Sequence, residues 1–546
     1  MKSTISFLAA SMLLMGGISP VHAAGEKPRL IVAISVDQFS ADLFSEYRAH
    51  FTHGLKILQQ GTVFPNGYQS HAATETCPGH ATILTGARPA RNGIIANNWV
   101  DYTIKREEKT VYCAEDETSK TYKASARHLM VPTLGDRMKE KYPDSRVVAV
   151  AGKDRAALMM GGKNTDQVWW WSDKGGLFST LDDRKPNAAS RAVNDKLARM
   201  IRTGLPALPL PDFCRSRPPI ALPGGKTVST PPAALPPENL PKGMKVRPEV
   251  DRATVDLAIQ LTDELGLGQR AGPDLLAVSL SVTDYVGHTF GTEGTEMCVQ
   301  MMALDQTVET LLSHLDGLGV PYAVVLTADH GGHDIAERNS TRAIPDDRRL
   351  TDKVGLAALN AAMGHAKDPV FRVDDKNSDV IAGDLYLNAR VKGQERAELL
   401  SKAKDWFEAD ARKDMIAGVF TSDELQQVKP STLPPEAWTL AERAAASVYP
   451  GRSGDLVVLL KPRISPIRDA KGSYIATHGS TWDYDRRVPI LFWQAGMTGF
   501  EQPNSIETVD IMPTLAGLIG LPLKPGEVDG QCRDLDAGPE STCPSP

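Results

Sequence analysis

A chain of 546 residues is longer than one compact core usually needs, which points to one large domain carrying insertions, or to a domain with a cap. Its make-up is that of a soluble globular protein: 41% hydrophobic, 23% charged, with a mean hydropathy of −0.25. A net charge of −6 is small for this length and implies no general attraction to nucleic acid or to a membrane surface, so any charge that binds an anion must be local.

The chain opens with Lys2, an apolar run at 5–18 and the small-x-small tripeptide Val21-His22-Ala23. This three-part pattern predicts a secretory signal over 1–23, too short and wrongly flanked for a membrane span, and hence a periplasmic or secreted protein. No later segment is apolar for long enough to cross a bilayer, so no stable membrane association is expected. Six cysteines suit an oxidising compartment, and their spacing contains no C-x-x-C, which argues against a cysteine zinc site. Cys532 and Cys543 lie close together in a Gly/Pro-rich tail and are the expected disulfide pair; the other pairings stay open.

Apolar runs at 30–36, 146–151, 275–280, 322–327 and 488–493 read as buried parallel strands. Helical patterns fall between or after them, at 54–60, 248–265, 297–315 and 509–519. This alternation predicts an α/β fold, a mostly parallel central sheet flanked by helices, with ligands bound beyond the carboxyl ends of the strands. Two stretches break the alternation: 205–241, crowded with proline, and 342–453, which is mixed. They are expected as parts of cap insertions at about 156–247 and 342–453 of a single catalytic domain, 24–546. The run Trp169-Trp170-Trp171 reads as core or cap packing.

Chemistry-bearing residues collect just past the strand ends. Asp37 follows the first run, and Asp284 and His288 follow the third. Asp329 and His330 follow the fourth, and His478 precedes the last. Each alone has a bland reading, as a helix cap or a loop histidine. Together they are mixed imidazole and carboxylate donors without thiolate, which suits an open catalytic zinc site. Pro78 fits the first turn of a helix, leaving Thr76 near its positive end, either as a plain N-cap or as a hydroxyl nucleophile beside metal. Cys77 is a rival nucleophile. Lys153-Asp154-Arg155 is a solvated turn or a phosphate-recognition pair.

These residues stand in the motifs Val36-Asp37-Gln38, Thr76-x-Pro78-Gly79-His80, Asn97-Asn98-Trp99, Lys153-Asp154-Arg155, Asp284-x-x-Gly287-His288, Ala328-Asp329-His330-Gly331 and Thr477-His478-Gly479. In them the chain resembles the alkaline phosphatase superfamily, specifically its zinc-dependent phosphomonoesterases with a threonine nucleophile, over nearly the whole mature length. The resemblance implies two zinc ions per chain. One would be held by Asp284, His288 and His478, the other by Asp37, Asp329, His330 and the Thr76 oxygen. It further implies that Asn97, Lys153 and Arg155 contact the phosphate, that small-molecule phosphate monoesters are the substrates, and that a phosphothreonine forms. The runner-up is a nucleotide pyrophosphatase or phosphodiesterase on the same scaffold, disfavoured by the Lys153 and Arg155 pair. An exported binding protein without turnover is a third possibility, which the complete ligand set and candidate nucleophile argue against.

Overall fold

The computed structural model describes residues 26–342, 344–539 and 541–544, so the expected signal segment lies outside the described residues. Nine strands form the main sheet. In chain order they are β1 (Leu30–Val36), β2 (Thr62–Tyr68), β3 (Val147–Ala151), β4 (Gln167–Ser172) and β5 (Leu177–Ser179), followed by β6 (Asp274–Leu280), β7 (Tyr322–Thr327), β8 (Arg487–Gln494) and β9 (Ile506–Glu507). In space they run β9-β2-β8-β7-β1-β6-β3-β4-β5. Every residue of β1 is buried, as expected of a strand with parallel neighbours on both sides and helices on both faces. Its alternation divides the core. Val32 and Ile34 pack with the helices Pro248–Leu265 and Thr295–Gly317. Ile31 and Ala33 face the opposite layer, built on helices α1 (Thr76–Thr85) and α2 (Asp154–Gly161).

Two expectations need correction. The run at 488–493 is a strand, but β8 pairs antiparallel with both β7 and β2. Leu491 sits opposite Leu326, so β8 begins at the edge where the parallel strands end. The stretch 156–247 is not wholly a cap: it supplies β4 and β5 to the main sheet. The tryptophan run is β4 itself, with Trp169 and Trp171 in one core layer and Trp170 in the other. The proline-rich part lies outside the main sheet, and Cys214 within it is bonded to Cys298.

Residues 342–453 contribute to a second, antiparallel four-stranded sheet in the order Phe371–Arg372, Gly383–Leu387, Leu456–Leu460, Ile416–Thr421. Leu385, Val419, Val458 and Phe407 share its own apolar core. The sheet extends past 453 because its central strand is Leu456–Leu460. Among the described residues no helix is long and apolar enough to cross a membrane.

Candidate active site

All ten residues singled out by the sequence meet at the carboxyl edge of the parallel strands. Asp37 is the first residue after β1, and Asp329 and His330 lie just past β7. Lys153 and Arg155 straddle the start of α2, after β3. Asp284 and His288 sit one turn apart on α3 (Val282–Phe290), after β6, which puts both on one helix face. Thr76 is the first residue of α1, and Asn97 precedes the hairpin strand Asn98–Val100. His478 comes before its strand, and the reversed direction of β8 brings it to the same edge.

The carboxylates and imidazoles fall into two groups. Asp284 Oδ1 is 3.3 Å from His288 Nε2 and 3.4 Å from His478 Nε2. Asp329 Oδ2 is 3.2 Å from His330 Nε2, and Asp37 joins it through His80. Each of the three histidines turns its Nδ1 to a backbone carbonyl: His288 to Ala476, His330 to Gly331 and His478 to Thr74, all at 2.8 Å. A ring that donates Nδ1–H to a carbonyl presents an Nε2 lone pair on its other side, which is how metal-binding imidazoles are oriented. Burial holds His288 and His330 down to about 4, in the neutral form a metal needs. Thr76 Oγ1, Asp284 Oδ1, Asp329 Oδ2 and His330 Nε2 are buried without a hydrogen-bond partner, and Asp37 Oδ2 meets only the Lys153 ammonium. Unpaired buried polar atoms are costly and uncommon, and their presence among grouped carboxylates and imidazoles fits metal binding.

Thr76 is not a helix cap. Glu75 holds the cap position of α1, and no side chain caps that end. Cys77 is bonded to Cys113, which removes the rival thiol. Cys532 and Cys543 are paired as expected. Asn97 Oδ1 accepts the Cys77 N–H at 2.9 Å, leaving the amide nitrogen as a donor beside Thr76. Lys153 is 3% exposed, its Nζ 2.8 Å from Asp37 Oδ2 and 2.5 Å from Asp284 Oδ2, so it lies between the two groups rather than at an open surface. Burial opposes its charge, but Asp284 and Asp37 outweigh burial and hold the ammonium well above the usual lysine range. Arg155 is likewise raised, against burial, by Tyr112, Tyr285 and Asp154 around it.

Sequence reasoning passed over His80, the last residue of its own Thr76 motif. His80 Nδ1 donates to the Thr76 carbonyl at 2.9 Å, and Nε2 to Ser279 Oγ at 3.0 Å, whose hydroxyl goes on to Asp37. With both nitrogens donating, His80 has no lone pair left for a metal and acts as a buried cationic strut. Burial opposes that charge, yet Asp329 and Asp37 raise it to about 10. One glycine of the site is fixed by close approach to backbone. A Cβ on Gly79 would stand 2.0 Å from the Asp329 carbonyl oxygen, which is backbone and cannot turn away, whereas one on Gly287 would meet only the movable end of the Gln38 side chain. Gln38 itself holds φ at 62°, a strained value for a non-glycine residue, and its N–H donates to Asp329 Oδ1 at 3.1 Å.

Residues 31–481 match the model of the type I phosphodiesterase/nucleotide pyrophosphatase family. The chain belongs to this family. It is an enzyme, a hydrolase of phosphate esters within the alkaline phosphatase superfamily. It is 48% identical to alkaline phosphatase PhoD of Zymomonas mobilis subsp. mobilis, over 96% of this chain and 91% of that protein. It is also 48% identical to alkaline phosphatase PhoK of a Sphingomonas species, over 95% of this chain and 93% of that one. Among solved structures, wild-type alkaline phosphatase PafA superposes with a TM-score of 0.78 at 25% identity, covering 93% of this chain and 98% of PafA. The fold is thus the mostly parallel, helix-flanked sheet of the alkaline phosphatases.

Proposed function

We propose that the protein is an exported alkaline phosphatase that hydrolyses small phosphate monoesters through a phosphothreonine at Thr76. Asp284, His288 and His478 would hold one zinc ion, and Asp37, Asp329, His330 and the Thr76 oxygen the other. Bound there, zinc would supply Lewis acidity, favouring an ionised threonine and stabilising charge on the departing oxygen. The observation that carries this reading is the close grouping of the Asp284, His288 and His478 ligand atoms and of the Asp37 and Asp329 carboxylates, with Thr76 Oγ1 and several of these atoms buried without hydrogen-bond partners.

The remaining work falls to this chain's side chains. Thr76, held at the start of α1, forms a bond to phosphorus as the ester oxygen leaves. Water then attacks the phosphothreonine, and the hydroxyl is restored as phosphate departs. Asn97 offers its amide N–H to a phosphate oxygen, and Arg155 can present two parallel donors to two of them. Lys153 adds a point charge from below. A monoester dianion offers three non-bridging oxygens and two charges, a diester two oxygens and one charge. The relatives at 48% identity, named as alkaline phosphatases, support the monoester reading, while the family's description keeps the diesterase reading as the alternative.

The test is to compare an aryl phosphate with the matching diester. Lys153→Ala with Arg155→Ala should lower kcat/KM for the monoester by roughly 10²–10⁴-fold and change the diester rate far less. Equal losses on both, or a wild-type preference for the diester, would replace the proposal by the alternative.

A further inference from the structure

A phosphate held at Thr76 must direct its esterified group toward space that protein does not fill. Lys153 fills the space between Asp37 and Asp284 and is itself buried. The flank beyond His288 is covered by the 36% exposed ring of Tyr474, which stacks on His288 at 4.6 Å, with Lys245 over the rings of Tyr474 and Tyr285 at 4.7 and 5.6 Å. On the remaining flank a cavity of about 290 Å³ lies between the main sheet's carboxyl edge and the second sheet. Its wall includes Glu75, which precedes Thr76, Asn98, which follows Asn97, and His478 itself.

Apart from the imidazoles of His333, which is held by Asp347, and His478, the ionisable side chains of this cavity's wall are carboxylates and the Tyr386 and Tyr484 phenols. Asp374, Asp384 and Asp485 line it with Glu75, and no lysine or arginine does. The guanidinium nearest to Asp374, that of Arg372, is turned to Thr110 and Glu108. Asp485 is 1% exposed; its Oδ2 accepts the Ser480 N–H at 2.8 Å, while its Oδ1 has no partner. Asp384 Oδ1 accepts the Gly454 N–H at 2.7 Å. Burial, with repulsion from Asp374 and Glu75, raises its carboxyl to about 7. Val373, Val380 and Leu459 supply an apolar wall behind these groups. A partly apolar cavity with several carboxylates in its wall stabilises a compact organic cation and repels an anion.

We infer that this cavity receives the leaving group, and that it selects phosphate monoesters of amino or quaternary-ammonium alcohols over esters whose alcohol carries a carboxylate or a second phosphate. The inference rests on the phosphomonoesterase reading and names the substrate class within it. Asp374 and Asp384 are the groups that set the selectivity, since both stand apart from the proposed metal ligands.

The experiment compares three alkyl phosphates of similar length: 2-aminoethyl, propyl and 2-carboxyethyl. Wild-type kcat/KM should fall in that order at low ionic strength and about pH 8.5, where the Asp384 carboxyl is ionised. In Asp374→Asn with Asp384→Asn, the ratio of aminoethyl to carboxyethyl turnover should drop of order ten-fold. Intrinsic differences in leaving-group reactivity cancel when variant and wild-type ratios are compared. Should the double variant fail to fold, the wild type alone suffices: raising salt from 20 to roughly 500 mM should collapse the same ratio several-fold. A wild-type ratio near one, or a ratio that survives both the substitutions and the salt, would overturn the inference. Absence of turnover on all three phosphates would instead overturn the phosphomonoesterase reading beneath it.

Discussion

Removing the Tyr112 hydroxyl should weaken phosphate recognition through Arg155, and only through Arg155. Tyr112 closes the hairpin strand Thr110–Tyr112, opposite Asn98. Its hydroxyl donates to Asp154 Oδ1 at 2.7 Å, while Tyr122 donates to Asp154 Oδ2 at 2.6 Å, and the Arg155 guanidinium rests against Tyr112. Tyr112→Phe deletes one charge-assisted hydrogen bond and the oxygen beside the guanidinium. Such bonds contribute about 1.5–3 kcal/mol, and part of that is recovered because Asp154 Oδ1 also accepts the Arg155 N–H at 2.7 Å. The expected net loss is about 1–2 kcal/mol of transition-state stabilisation, or roughly 5–30-fold in monoester kcat/KM. The assay is a double-mutant cycle with Arg155→Ala. In that background Tyr112→Phe should cost less than about two-fold, because the group it positions is gone. Full additivity of the two substitutions would show that Tyr112 merely supports the hairpin, and would refute the reasoning.

Gly79→Ala would press a methyl group onto the Asp329 backbone, which cannot rotate away. Displacing α1 from that loop should lower kcat by at least about 10²-fold and stability by about 1–3 kcal/mol, read by steady-state kinetics and thermal melts. Asp251 is buried, accepts the Val282 N–H at 3.2 Å and the Gln300 amide at 2.9 Å, and burial raises its carboxyl to about 7. Its folded value lies above the unfolded one, so the folded state binds the extra proton, and stability falls as pH rises from about 4 to about 7. Asp251→Asn should therefore raise the melting temperature at pH 8 and make little difference below pH 4; an equal shift at both would contradict the assignment. A strong chelator should abolish activity and zinc should restore it, and elemental analysis of active protein should find transition metal.

Much of this site could be read from sequence because its residues stand at the ends of fully apolar runs, such as Leu30–Val36 before Asp37 and Tyr322–Thr327 before Asp329 and His330. What escaped has physical causes. Strand β2 was missed because Pro65 and Gly67 interrupt its apolar pattern, and the ladder to β8 shifts register there. The direction of β8 leaves no trace in composition, since a strand buried on both faces reads alike either way. The Cys77–Cys113 bond spans 36 residues and depends on the hairpin that brings Asn97 and Tyr112 to α1. His80 carries no signal of its own in the sequence beyond its place in the Thr76 motif. Its role appears only when Asp37 and Asp329, far apart in the chain, close on its two nitrogens.

The claim on which the account turns is that Thr76 carries the phosphoryl group. Acid quench of enzyme mixed with excess aryl phosphate, followed by proteolysis and mass spectrometry, measures this directly. The account predicts a phosphorylated peptide with the modification on Thr76, lost in Thr76→Ala together with nearly all turnover, and retained with substantial turnover in Thr76→Ser. Undiminished hydrolysis by Thr76→Ala, or a phosphoryl group trapped on any other residue, would contradict it.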